Sequence, residues 1–323
     1  MRQLRSQTIE RCGRGILRLS FLARPALCRV LVFCMIAVFC AGMQASAMDM
    51  SEIVDLEMSV TGDSDVNAAF LPEDQRSDSA LTLHITAGKR AQINEFSNVA
   101  LTLDMTTQEY RQYTGLNNLA AGLTLSWVKV LGLGPEAPRL RVFGSAVRRD
   151  FKDSVRDGSD YRAGLALTKR VTPHLDVAAA FSIQSITSSG KGLFDHHGEE
   201  EDEEDAGAEK IKVFNGNGYT TGVTLGYVFP RDMRLVVAWW QRRGDVVWHR
   251  SAEDPPDPYM PENTFNMEAY RLPSRTRTLA VMFCIPTGLR TMVYAGLERR
   301  QTVWSYESYP NDIYIFGLTH RMH

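Results

Sequence analysis

Apolar residues recur at every second position along most of this chain. In YTTGVTLGYVFPRDMRLVVAWW (219–240), Tyr219, Val223, Leu225, Tyr227 and Phe229 share one parity, and Met233, Leu235, Val237 and Trp239 resume it after a short break. Thr220, Gly222, Thr224, Gly226 and Arg234 occupy the other parity. The same period of two runs through 54–60, 81–86, 99–105, 119–127, 140–146, 161–167, 175–183, 274–285, 289–297 and 314–318. Period-two patterning predicts strands, here twelve, with no helix. Four segments share a spacing of polar residue, glycine and apolar residue: 117–127, 160–170, 218–228 and 312–322. Each except the last runs into a short turn, so the repeating unit is a hairpin.

Connections alternate in length. Compact ones fall near 88–96, 129–139, 171–174, 229–232 and 285–288; long polar ones fall near 62–78, 107–117, 151–159, 187–217, 246–268 and 304–311. An antiparallel meander would put all the short ones at one end and all the long ones at the other. The apolar rows must be hidden, either in a dry centre or in lipid. Strand length of about ten residues, the asymmetry of the ends, and small residues with scattered charges on the second face favour lipid outside and a confined lumen inside. Closure into a barrel then satisfies every backbone group. Tyr161 and Tyr219 would mark one membrane interface, and Trp127, Tyr227 and Phe229 the other. One strand carries a conflict: Arg275 and Arg277 share parity with Leu279, Val281 and Phe283.

The expected fold is therefore a single-domain, all-β, up-and-down antiparallel transmembrane barrel of twelve strands over 48–323, with short periplasmic turns and long extracellular loops. The hairpin repeat and the closing segment YIFGLTHRM (314–322) resemble the Gram-negative outer-membrane β-barrel class, whose members commonly end on an alternating strand that the insertion machinery reads. Here the chain stops at His323 rather than at an aromatic residue. The resemblance implies outer-membrane lipid and that machinery as partners, with passage or uptake of small solutes as the function.

Composition adds an export route. Residues 1–29 carry seven arginines and one acid, followed by VLVFCMIAVFCAGM and Ala45-Ser46-Ala47, so 1–47 reads as a cleaved signal peptide. Four of the five cysteines lie in that leader, a distribution unlike a disulfide-stapled secreted scaffold. Losing seven of 36 basic and one of 38 acidic residues leaves a net charge of −8. Seven of the remaining acids lie in one run, 199–205, so nucleic acid is not an expected partner.

Parity assigns the lumen lining. Asp55, Glu57, His84, Asp104, Arg162 and Arg170 should point inward. So should Asp176, Arg234, Arg242, Arg290, Glu298 and Arg300. Such charges can filter solutes or plug a narrow barrel. In the acidic loop, His196, His197, Glu199 and Glu200 are candidate ligands for a divalent cation, against the reading of a self-repelling polyanion. No cofactor and no catalytic residue is expected: G-x-S-x-G and H-E-x-x-H are missing, and His84 reads as a hydrogen-bonded lumen histidine. The alternatives to a channel are a non-conducting surface barrel used for assembly or adhesion, displaying loops such as EDPPDPYMPEN, and a barrel-hosted hydrolase acting on lipid.

Overall fold

A computed structural model describes residues 50–69, 71–188, 213–251, 261–262, 264–265, 267–305 and 307–322. The strands are β1 (Met50–Asp63), β2 (Asp78–Asn94), β3 (Ser97–Tyr110), β4 (Asn118–Val130), β5 (Arg139–Phe151) and β6 (Gly158–Arg170). They continue with β7 (Leu175–Ser188), β8 (Gly216–Val228), β9 (Arg234–Ser251), the two-residue β10 (Pro261–Glu262), β11 (Met267–Pro286), β12 (Thr291–Trp304) and β13 (Glu307–Arg321). Neighbours in sequence pair antiparallel, β9 pairs with β11, and β13 pairs with β1. With β10 as a side strand on β11, the ring closes on twelve strands and leaves no sheet edge.

The outer face carries the apolar rows. Leu101, Leu103, Leu123, Leu165, Val223, Leu225, Trp239, Leu279, Val281, Leu297 and Phe316 are all exposed on it. Such a belt would be untenable in water and suits hydrocarbon. At the turn end, Tyr227 and Phe229 stand edge to face at 4.8 Å, and Phe229 reaches Phe283 at 6.3 Å. The first 47 residues and most of the loop 187–217 lie outside the described residues.

Two sequence expectations change. Most of the segment 304–311, read as a long loop, is strand: Trp304 ends β12 and pairs with Glu307 at the start of β13, and Gln301 pairs with Pro310. Likewise β9 and β11 remain paired up to Ser251 and Met267. Above the bilayer both faces of a strand meet water, so pairing persists where the alternation fades. The same extension resolves Arg275 and Arg277. They do face outward with Leu279, but higher on β11, paired with Arg243 and Gln241 beyond the apolar rows.

Candidate functional site

The lumen holds a cavity of about 710 Å3. Its lining follows the inner rows of β1 to β5 from end to end: Ile53 to Asp63 on β1, Asp78 to Arg90 on β2 and Asn98 to Tyr110 on β3. Threonines recur along this wall, and they tie its two central ionisable groups together. Thr86 and Thr124 donate to the two oxygens of Asp104, each at 2.8 Å, and Thr102 donates at 3.2 Å. Since the Thr86 hydroxyl gives its proton to Asp104, His84 Nε2 must donate to Thr86 Oγ1 at 3.0 Å. In the neutral ring Nδ1 then accepts from Thr106 at 2.7 Å. His84 Nε2 is 3.8 Å from Asp104 itself.

The opposite wall is filled. Val236, Trp240, Met282 and Tyr294 form a buried cluster inside the barrel, with Met292 and Ile315 against it. Glycines make room for the rings. A Cβ at Gly222 would lie 1.9 Å from Trp240, and one at Gly317 would lie 2.4 Å from the Tyr294 ring. The Tyr294 hydroxyl on β12 donates to Glu57 on β1, passing over Gly317 of the intervening β13.

The charged residues expected inside take several positions. Asp55, Glu57, His84, Asp104, Arg162, Glu298 and Arg300 line the cavity. Asp55 faces Arg321 at 3.6 Å, Arg300 pairs with Glu298, and Arg162 lies 3.8 Å from Asp160. Arg170 and Asp176 form a pair at 3.2 Å at the turn end of β6 and β7. Arg234 and Arg242 are buried inside β9, with Arg242 donating to the Asp245 carbonyl and lying within electrostatic reach of Arg162 and Arg300. Arg290 differs. It sits exposed in the turn between β11 and β12 and donates to the Met322 carbonyl at 3.0 Å, because strand parity ends where the turn begins. His196, His197, Glu199 and Glu200 lie outside the described residues. Among the described residues no group of three or more His, Cys, Asp or Glu side chains could hold a metal ion.

A loop cap, not anticipated from the sequence, roofs the cavity. In the ring of twelve, β1, β5 and β9 are four strands apart, yet groups attached to all three meet. His249 on β9 bonds the Asn67 carbonyl of the loop after β1, and Arg156 of the loop after β5 reaches His249 Nε2 at 3.3 Å. Phe265 packs beside His249 at 5.0 Å and Tyr113 at 4.9 Å, with the Arg156 guanidinium 5.5 Å from its ring. Thr264 donates to Asp153 at 2.6 Å. Asp65, in the same cap, receives the Ala69 N–H at 2.9 Å. Burial raises its carboxyl to about 6. An acid raised on folding stabilises the cap most when protonated. That contribution is complete below the ordinary value of 3.8 and is lost as pH rises through about 6. The loops are polar and aperiodic, so nothing in the sequence marks Arg156, His249 and Asn67 as neighbours.

No family model matches this sequence, and no curated protein matches it. Solved structures do. An outer-membrane channel from Pseudomonas putida F1 has 8% identity and a TM-score of 0.57, over 87% of this chain and 98% of that one. The translocator domain of the autotransporter NalP from Neisseria meningitidis gives 12% identity and a TM-score of 0.41, over 91% and 95%. A KdgM porin in complex with disordered oligogalacturonate gives 11% and 0.41, over 84% and 100%. The chain has the fold of an outer-membrane β-barrel.

Proposed function

We propose that the protein is a passive outer-membrane channel for small polar solutes, exported by cleavage of its leader and placed with its turns in the periplasm. The observation that supports this reading best is the cavity. Its polar lining runs from Arg90 and Asn98 at the turn end to Asp63, Asp78 and Asn118 at the loop end. A barrel serving only as a scaffold would gain by filling that space, as the opposite wall does. Outer-membrane lipid and the insertion machinery are the partners this placement requires. The acidic loop 187–217, with His196 and His197, would gather cations at the mouth.

The cap favours a second reading, a non-conducting surface barrel. Single-channel recording on refolded protein with ion substitution separates the two. Small discrete steps are expected, more frequent at pH 7 than at pH 4.5, because Asp65 ionises between them. Silence at every voltage and both pH values counts against a channel.

A further inference from the structure

At its loop end the outer face of the barrel gathers four arginines on one sector. Arg243 on β9 and Arg275 on β11 are direct cross-strand partners. Arg277 stands one outward step below Arg275, opposite Gln241 on β9 and Gln301 on β12. Arg299 on β12 pairs with Leu279, one outward step below Arg277. All four share the parity of Trp239, Leu279, Val281 and Leu297, so they point away from the lumen. They lie at the loop end, where those apolar rows stop.

The other sector is different. The outward residues above the apolar rows of β1 to β3 are Gly62, Ser79 and Glu109, and on β4 the apolar row itself runs up to Leu119. Arg148 on β5 is satisfied by Asp150 at 2.8 Å. Two acids lie near the β9–β12 arginines. Asp312 is 3.8 Å from Arg299, and Asp245 accepts the Asn217 N–H. Tyr219 lies under the Arg243 guanidinium at 6.0 Å.

Like charges placed directly opposite on neighbouring strands repel and weaken a sheet. Among the described residues, four arginines stand against two carboxylates at the boundary between hydrocarbon and water, which leaves an excess of positive charge there. That boundary places them at headgroup depth, where the partner must be an anion anchored in the leaflet. Guanidinium groups bind phosphate bidentately, which suits a doubly phosphorylated headgroup.

We propose that Arg243, Arg275, Arg277 and Arg299 form an external binding site for the phosphates of the glycolipid that builds the outer leaflet, on the β9–β11–β12 face. The site requires the outer-membrane orientation but not an open lumen, so it stands or falls separately from conduction.

The test uses refolded full-length protein in nanodiscs, with bisphosphorylated and dephosphorylated lipid A as probes. The protein should retain the bisphosphorylated form at least tenfold more tightly. The Arg243→Gln/Arg275→Gln/Arg277→Gln variant should lose that preference while binding the dephosphorylated form equally well. The corresponding lysine variant keeps the charge and should keep part of the preference, with the heat-resistant gel mobility of a folded barrel as a control on all three. Inorganic phosphate should compete only at concentrations far above that of the lipid. Equal retention of the two lipid forms by the unmodified protein, or an unchanged preference in the glutamine variant, overturns the site. Competition by free phosphate at lipid-like concentrations assigns it to a soluble anion and overturns the lipid reading.

Discussion

The two walls of the lumen have the same backbone and opposite contents. On β1 to β5 the inward positions hold short hydroxyl side chains such as Thr82, Thr86, Thr102, Thr106 and Thr124, and the cavity runs alongside them. Across the barrel, Val236, Trp240, Met282 and Tyr294 close up against one another. Twelve strands enclose a modest interior, whose free space is then set by side-chain volume rather than by strand number. The filled wall also depends on glycine: Trp240 lies where Gly222 has no side chain. The polar wall depends instead on hydrogen bonds running along it, with Asp104 as the shared acceptor for three threonines.

The largest effect should come from removing that recess. In Gly222→Val the new Cβ would sit 1.9 Å from Trp240 and 2.6 Å from the Trp239 carbonyl, and the backbone oxygen cannot yield. A cost of roughly 3 kcal/mol or more is expected, enough to abolish the heat-resistant folded band on refolding. Gly62→Ala on β1, where a Cβ meets nothing within 4 Å, should leave that band intact. If both variants refold alike, the packed wall is not what holds this side together.

Next comes Trp240→Ala. Truncating the ring should destabilise the barrel by about 3 kcal/mol in a urea titration. Because the lost volume joins the cavity, conductance in a planar bilayer should rise severalfold. A stability loss with unchanged conductance would mean that current is limited elsewhere, at the cap.

The smallest change is Asp104→Asn on the polar wall. The amide oxygen can still accept from Thr102 and Thr124, and the amide NH2 can donate to the Thr86 hydroxyl oxygen once that hydroxyl turns, so stability should stay within about 1 kcal/mol. Loss of the charge should shift the cation-to-anion permeability ratio toward anions, about twofold, as read by reversal potential in a salt gradient. An unchanged ratio would remove Asp104 from the path.

Much of the fold was legible because a strand's side-chain period is local. Tyr219 to Phe229 display it without reference to any other part of the chain, and the spacing of such runs marks the hairpins. Legibility failed where the environment changed. Trp304 and residues 307–311 look like loop because both faces of that stretch are wet, yet they pair. Arg290 follows its neighbours in parity, but a turn has no inside.

The sequence by itself determined the antiparallel strands, their apolar outer face and the unequal ends, since these depend on residues one or two positions apart. Only the closed tertiary structure decided that Trp240 meets Gly222, that Tyr294 reaches Glu57, and that Arg156, His249 and Asn67 join over the mouth. Those meetings depend on the register around the whole ring and on where aperiodic loops come to rest. Both are long-range properties to which a period of two is blind.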